Sequence, residues 1–417
     1  MWVRVLVRLK GFQKLTPVDE ALRTFFAMLR FKSLKTTTIP LDSALNRVLA
    51  EDVIARVDLP RFDRSAVDGY AVKAEGTFGA TQLKPRIVRL TGGDVVAVDE
   101  AKQVWTGSPV PRNANAVVML EDTLQVKDEV HVWSPVTPGE NVSKRGEDVR
   151  EGEVAAEVGA RLKPQHLGLI GALGVSEVEV FEKPRIAILA TGNELVELGR
   201  RLRGSQVFDV NRLVLSSLCF DLGAETLDLG IARDDVGEIS EKLRLGLERA
   251  DALITSGGTS VGGSDLVPDA VNEVGKPGVV VHGVAMRPAM PTALAVVDGK
   301  PVLIFPGNPV AAMVGFEVFA RPLIFRMLGL KRVESRFEVQ ARVTRRMATT
   351  LGRRNFVRVR VFQTGGELRA EPISARGSSL ISTMTRANGY VVVAEDREGL
   401  EEGELVTVQM FDNVGGC

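Results

Sequence analysis

The sequence predicts a multidomain α/β plus β protein, with a central three-layer α/β region built on a parallel sheet. Three observations carry this expectation. Between residues 185 and 329, apolar strand-like runs alternate with amphipathic helical patterns, the spacing of parallel strands joined by helices on both faces. From 52 to 144, and again after 329, short strand-like runs alternate with Gly, Pro and Asn turns. The chain is 417 residues long, which exceeds a typical single domain.

Bulk composition narrows the function. Hydrophobic residues make up 45% and charged residues 25%, enough to build buried cores. Lys+Arg and Asp+Glu are both 53, so no bulk positive field holds nucleic acid, and none is expected as a partner. The two cysteines, Cys219 and Cys417, exclude a disulfide framework. His131, His166 and His282 are scattered, which argues against zinc catalysis or a Ser-His-Asp triad. No apolar run approaches the roughly 18 residues of a membrane span, and charges interrupt the first ten residues. A cytoplasmic protein with no membrane partner is expected.

Along the chain, residues 15–50 read as helical. Thr16 and Pro17 look like an N-cap and a first helical position, and Val18, Ala21, Leu22, Phe25, Phe26 and Leu29 follow at helical spacing. A second helix fits 42–51. Strands are expected at 86–90, 116–120 and 129–133. Residues 147–181 carry Gly-punctuated strands and a short helix near His166. In the α/β region, strands are expected at 186–190, 225–229 and 252–255. Asn211 is read as the cap of a helix with Leu213, Val214, Leu218 and Leu222 on one face. Asp235 is read as the cap of a charged helix running to Arg249. The tail offers strands at 337–343, 356–361 and 390–394.

Ligands of such sheets bind beyond the carboxyl ends of the strands. Two glycine-rich loops fall there: Thr191-Gly192-Asn193-Glu194 after the first strand, and Ser256-Gly257-Gly258-Thr259-Ser260, leading to Asp265, after the third. Glycines let the backbone approach a ligand and let its N–H groups cradle an anion. A flexible turn is the plainer alternative, but two such loops on adjacent strands, each followed by a carboxylate, favour a site. Asp234 is left facing the cleft, with capping assigned to Asp235. Pro306-Gly307-Asn308-Pro309 is either strand stop and helix start or a rigid pocket wall, and local pattern does not choose. Asp63, Ser65 and Asp68 cannot all be satisfied inside a core, so some face solvent or a ligand.

Taken together, these motifs resemble the MoeA family of molybdopterin molybdenumtransferases and the matching domain of gephyrin. The resemblance runs from about residue 15 to about 411. It rests on Phe62-Asp63-Arg64-Ser65-Ala66-Val67-Asp68-Gly69-Tyr70, Thr106-Gly107-Ser108-Pro109-Val110-Pro111, Arg145-Gly146-Glu147-Asp148, Thr191-Gly192-Asn193-Glu194-Leu195, Ser256-Gly257-Gly258-Thr259-Ser260, Pro306-Gly307-Asn308-Pro309 and Arg376-Gly377-Ser378, in the family's order.

The resemblance implies a homodimer with four domains per chain. An N-terminal helical and β dimerisation domain would span 1–51 and 146–182, an inserted β-rich domain 52–145, the molybdopterin-binding α/β domain 183–329 and a β-barrel-like domain 330–417. The implied reaction inserts molybdate, or tungstate, into adenylated molybdopterin with Mg2+ or another divalent cation, and AMP leaves. A molybdopterin adenylyltransferase is the implied substrate donor. By motif position, Asp63, Thr106, Asp148, Glu194, Asp234 and Asp265 would be catalytic, with Glu194, Asp234 and Asp265 holding the metal. Gly192, Gly257, Gly258, Thr259, Ser260, Arg287, Pro306, Pro309 and Ser378 would bind substrate. Carboxylates alone would repel two anionic substrates, and a dication inverts that logic.

One departure matters. The family's frequent Lys-Pro-Gly-Lys-Pro run appears here as Arg287-Pro288-Ala289-Met290-Pro291. Arg287 keeps one cation and Met290 loses the other. Arg64 is one candidate to replace it. The alternatives are a pathway enzyme that adenylates molybdopterin, and a non-catalytic molybdopterin-binding scaffold or carrier of the same fold.

Overall fold

A computed structural model describes residues 15–30, 34–258, 266–331, 334–373 and 380–411. Thr259, Ser260, Asp265 and Ser378 lie outside the described residues. The chain divides into two compact units, one from residues 1–37 and 181–417, the other from 38–180.

The first unit holds a six-stranded sheet in the spatial order Glu225–Ala232, Arg185–Thr191, Ala252–Ser256, Lys300–Phe305, Ala293–Val297, Pro277–His282. The first four strands are parallel. Ala293–Val297 runs the other way, antiparallel to both of its neighbours, Lys300–Phe305 and Pro277–His282, which corrects the expectation of a parallel sheet. The reversal is made by Asp298 and Gly299, both at positive φ (52° and 87°), as a tight two-residue hairpin requires. Alternation along Arg185–Thr191 puts Ala187 and Leu189 in a core with the helices Val236–Arg249 and Leu266–Val274. Ile186 and Ile188 point the other way and are equally buried.

Asp235 caps its helix as expected, accepting from the Glu238 N–H at 2.8 Å. Asn211 does not cap. Asp209 accepts the Asn211 and Arg212 N–H groups at 3.1 and 3.2 Å and fills that role, while Asn211 turns inward. The expected face of this helix is also displaced. Leu215 and Cys219 are fully buried and Leu213 is exposed, because the inward face begins at Asn211. Burial pushes the Cys219 thiol up to about 12, so it packs as a small apolar group.

Helix Val18–Met28 buries Val18, Ala21 and Phe25 against the strands Pro277–His282 and Ala293–Val297. Thr16 makes no cap. It pairs with Val284 in a bridge, donating to Gly283 O at 3.0 Å and accepting from the Ala285 N–H at 2.8 Å, and the helix starts one residue after Pro17.

The tail of the first unit forms a closed barrel. Its strands run Arg354–Thr364, Glu367–Pro372, Glu338–Val343, Leu405–Met410, Gly389–Val393 and back to Arg354–Thr364. Val357, Val359, Val361, Val391, Val406 and Val408 fill it. Its links to the sheet domain include two that fix the chain on either side. The short strand Met286–Arg287 pairs in parallel with Arg354 and Asn355. Glu317, in a π-helical turn at Phe316–Ala320, accepts from Arg336 Nε and Nη2 at 2.7 Å and from Arg321 Nη1 at 2.8 Å.

The second unit carries a six-stranded sheet, ordered Ala116–Met119, Gly69–Val72, Glu100–Val104, Arg86–Leu90, Glu129–Val132, Thr123–Val126. Tyr70, Val72, Val88, Val118 and Val130 form its core. A separate core joins Leu49 and Val53 to Leu162, Ile170 and Val180, with a helix at Pro164–Ala172. The expected second helix at 42–51 is absent. A single 3-10 turn at Leu41–Ser43 gives way to Asn46 at φ 62°, and Val48 and Leu49 bridge to Arg161 and Val180. Pairing with the returning chain overrides helix propensity there.

Candidate functional site

The carboxyl edge of the parallel strands brings four loops together. Gly192 N–H donates to Ala232 O at 3.1 Å, and Gly257 N–H donates to Phe305 O at 3.0 Å. Asn193 and Asp234 clasp each other: Asn193 N–H donates to Asp234 Oδ2 and Asp234 N–H to Asn193 Oδ1, at 3.3 and 3.2 Å. Asn211 Nδ2 donates to Ser256 Oγ at 2.6 Å and to Gly307 O at 2.7 Å. Two glycines are obligatory here. A Cβ on Gly257 would stand 2.3 Å from Thr191 O, and one on Gly258 would stand 2.4 Å from Val267 Cγ2. Both have positive φ.

Glu194 and Asp234 are exposed at this edge, with the Glu194 carboxylate folded back over Gly192. Among the described residues no group of three His, Cys, Asp or Glu could hold a metal. The donors that are described, two exposed carboxylates on neighbouring loops, fit a hard dication that keeps most of its water and takes the rest of its shell from substrate. Thr191 Oγ1, Thr255 Oγ1 and Asn211 Oδ1 are buried with no partner among the described residues.

A pocket of about 350 Å³ adjoins the edge. Arg287 to Pro291 form one wall, Pro306, Asn308 and Ala311 a second, and residues 347–349 with Arg353 and residues 355–358 of the barrel a third. Three arginines are among its lining residues: Arg287, Arg353 and Arg358. Arg287 is held by Thr350 Oγ1. Arg358 is only 5% exposed and its Nε has no partner among the described residues. Burial disfavours its charge and lowers its pKa, yet a guanidinium stays charged at neutral pH. Among the described residues, none of the three cations has a carboxylate partner, and no carboxylate lines the pocket. The arrangement attracts a compact, multiply charged anion.

In the second unit three further motifs form one loop cluster. Ser65 N–H donates to Ser108 O and Gly107 N–H to Ser65 O, at 2.9 and 2.8 Å, and Ser65 pairs with Val142. Asp63 accepts Lys144 Nζ at 2.8 Å and the Arg145 N–H at 2.9 Å; the Lys144 bond chiefly holds its carboxyl below the usual range. Asp68 accepts both the N–H and the hydroxyl of Thr106 at 2.7 Å, which lowers its pKa likewise. Asp148 is exposed nearby in sequence to Arg145.

The structure thus gathers Gly192, Glu194, Asp234, Gly257, Gly258 and Pro306 at one sheet edge and places Arg287 and Pro306 on the pocket. Pro309 begins the helix Pro309–Gly315 instead of lining the pocket. Asp63 and Thr106 sit in the loop cluster of the other unit. Sequence reasoning missed Arg353 and Arg358. In the run Arg358-Val359-Arg360-Val361 the arginines look like an ordinary solvated face, and only the fold covers Arg358. Sequence reasoning also missed Asn211's inward role.

Sheet edge and cationic pocket define a class of protein: a multidomain α/β protein with a ligand-binding sheet domain and a closed barrel beside an anion pocket. Comparison with known proteins makes it specific. Residues 16–174 match the MoeA N-terminal region (domains I and II), 187–326 a probable molybdopterin binding domain, and 340–411 the MoeA C-terminal region (domain IV). The chain is 37% identical over 415 residues to a putative molybdopterin biosynthesis protein of Methanocaldococcus jannaschii, covering 97% of this chain and 100% of the relative. It is 31% identical to the molybdopterin molybdenumtransferase of Haemophilus influenzae, covering 96% and 99%. A crystal structure of a molybdopterin biosynthesis MoeA protein from Pyrococcus horikoshii matches with a TM-score of 0.82 at 31% identity, covering 95% of this chain and 100% of that one. The chain belongs to the MoeA family.

Proposed function

We propose that this protein is a transferase of molybdenum cofactor biosynthesis that inserts molybdate, or tungstate, into adenylated molybdopterin and releases AMP. The observation that carries the proposal is the adjacency of two sites. The Pro306–Asn308 loop follows a strand of the ligand-binding sheet and is also a wall of the cationic pocket. An oxyanion held by Arg287, Arg353 and Arg358 would lie beside a ligand seated on the glycine loops, which is the proximity that metal insertion needs. The relatives' name, molybdopterin molybdenumtransferase, supports the substrate assignment.

Within this proposal Gly192, Gly257 and Gly258 let the backbone approach the pterin phosphates. Glu194 and Asp234, with Asp265, would hold Mg2+, which supplies charge neutralisation at the pyrophosphate. The three arginines bind and orient the oxyanion and exclude cations from its pocket. Met290 does not restore the cation missing from the family's run, and Arg353 and Arg358 provide positive charge in the same pocket. Asp63, Thr106 and Asp148 are proposed to act from a second copy of the chain, and a molybdopterin adenylyltransferase to supply the substrate.

The test is AMP release from adenylated molybdopterin with Mg2+, on adding molybdate or tungstate to the purified chain. Oxyanion-dependent release is expected. Bound nucleotide that stays intact with both oxyanions would favour a non-catalytic carrier. Mixing a Glu194→Ala chain with an Asp63→Ala chain should recover part of the activity if the site is shared between copies. No recovery after subunit exchange would place both residues in one chain's site.

A further inference from the structure

Resting on the proposed metal role of Glu194, we infer that Arg212 is a positioning residue for that carboxylate, because it holds the flap that Glu194 begins through Glu197 and Asp209. The Glu194 carboxylate is exposed and makes no hydrogen bond or ion pair to any described residue. Its direction is therefore set by the main chain. On one side stands the turn in which the Leu195 N–H donates to Gly192 O at 3.3 Å. On the other, residues 195–208 form a flap. Leu195 and Val196 pair with Val207 and Phe208, closed by the Val207 N–H on Glu194 O and the Asp209 N–H on Val196 O, both at 2.9 Å. Val207 and Phe208 are exposed, and Leu195 and Val196 are only half-buried, so apolar burial secures this ladder weakly. A two-stranded ribbon with so little buried surface is marginal by itself.

Arg212, in the first turn of the helix Asn211–Asp221, supplies the anchor. Its Nε donates to Asp209 Oδ2, its Nη1 to both Asp228 oxygens at 2.6 and 2.8 Å, and its Nη2 to Glu197 Oε2 at 2.6 Å. Asp228 belongs to the sheet strand Glu225–Ala232. Glu197 lies on the outgoing limb of the flap, and Asp209 follows its return. One guanidinium thus ties both limbs to the sheet. Charge balance does not require the third carboxylate. The Asp209 side chain is 1% exposed and already neutralises the nearly buried Arg212, whereas that of Glu197 is 55% exposed. An exposed ion pair is worth little when two free side chains must be ordered to make it. Here Asp209 and Asp228 already fix the guanidinium, so Glu197 meets a planar fork held in place. The third contact adds a fixed point on the flap three residues after Glu194.

Glu197→Ala tests the inference on the full chain, since it frees the flap limb and leaves Arg212 with Asp209 and Asp228. Arg200, Arg201 and Arg203 are exposed in the flap, so trypsin cleavage there, located by mass spectrometry, reads its opening and should be about tenfold faster in the variant. Mn2+ titration followed by electron paramagnetic resonance, on the chain carrying adenylated molybdopterin, reads the metal. Its Kd should rise about tenfold, as when a group that orients a metal ligand is lost, with the thermal midpoint unchanged. In AMP release the Mg2+ KM should rise while kcat at saturating Mg2+ holds. Glu197→Gln keeps an acceptor oxygen for Nη2 and should recover most of both effects. If Glu194→Ala weakens Mn2+ binding but Glu197→Ala moves neither cleavage nor Mn2+ affinity, the positioning role falls and the metal role of Glu194 stands. Faster cleavage with unchanged Mn2+ affinity makes Arg212 a structural clamp only. If Glu194→Ala leaves Mn2+ affinity unchanged, the metal role falls and the inference falls with it.

Discussion

Asn211 and Gly307 lie 96 residues apart in sequence and are joined by a 2.7 Å hydrogen bond, from the buried Asn211 amide to the Gly307 carbonyl. The same amide nitrogen donates to Ser256 Oγ at 2.6 Å. One side chain therefore ties the ends of two adjacent strands, at the loops that flank both the glycine site and the cationic pocket. Both bonds need Asn211 as donor. Asn211→Ala leaves two acceptors short, at a cost of about 1–3 kcal/mol. Asn211→Asp should be worse, because a carboxylate cannot donate to the Gly307 carbonyl and sets a negative charge against it in a buried site. Urea unfolding should rank wild type above Ala and Ala above Asp, and the oxyanion KM should rise in the same order. If Asp equals Ala, the amide orientation is wrong.

Ala289 occupies the position where the family run has glycine, and it keeps a glycine-like backbone, with φ 78° and 3% exposure. An L-residue in that region carries roughly 1–2 kcal/mol of strain. Ala289→Gly relieves this but loses a buried methyl, worth about 0.8 kcal/mol, and loosens the unfolded chain by roughly 0.4–1 kcal/mol. The terms nearly cancel, so Ala289→Gly should be neutral to within about 1 kcal/mol. Ala289→Val adds β-branching to the same backbone and should cost clearly more. Equal thermal midpoints for the Val and Gly variants would contradict the left-handed assignment.

Glu317 holds the barrel's Arg336 and its own helix's Arg321. Burial alone would raise its carboxyl, but the two guanidiniums outweigh that and keep it below the ordinary 4.5. A depressed folded-state pKa means the pair stabilises fully above about pH 4.5, and that stabilisation is lost as pH falls through the folded value. Glu317→Gln leaves Arg336 buried and unneutralised, at a cost on the order of 3 kcal/mol at pH 7. The gap in thermal midpoint between wild type and Glu317→Gln should be wide at pH 7 and shrink below pH 4. A gap that stays constant down to pH 3 would remove Glu317 from the acid response.

Much of this architecture was legible in the chain. The strands Arg185–Thr191 and Ala252–Ser256 are continuous apolar runs, as buried parallel strands must be, and Asp235 announced its helix. The antiparallel end of the sheet was legible too. Asp298-Gly299 between apolar runs is a strong hairpin signal. Other features had no local signal. Asn211 and Asp209 are both good cap residues, and only packing decides which turns inward. Asn46 interrupts a helix-like stretch because the returning chain offers Val48 and Leu49 partners. At the candidate site, glycine and proline motifs marked the sheet edge, whereas the pocket's charge depends on how the barrel docks on the loop Arg287–Pro291.

Arg358 exposes that limit most directly, and it sets apart two kinds of role. By alternation it lies outside the barrel core of Val357 and Val359, yet it is almost fully buried without a carboxylate partner among the described residues. A buried guanidinium without a counter-ion contributes little to stability, and its removal is often neutral or stabilising. Its value must then come from a ligand. Arg358→Ala should hold or raise the thermal midpoint while weakening oxyanion binding roughly 10–100-fold, the worth of one charge-assisted hydrogen bond pair. Arg358→Lys keeps the charge but loses the planar fork, and should fall between. Pterin-nucleotide affinity should not move in either variant. A falling midpoint with unchanged oxyanion affinity would make Arg358 a structural residue and return the search for the oxyanion ligand to Arg287 and Arg353.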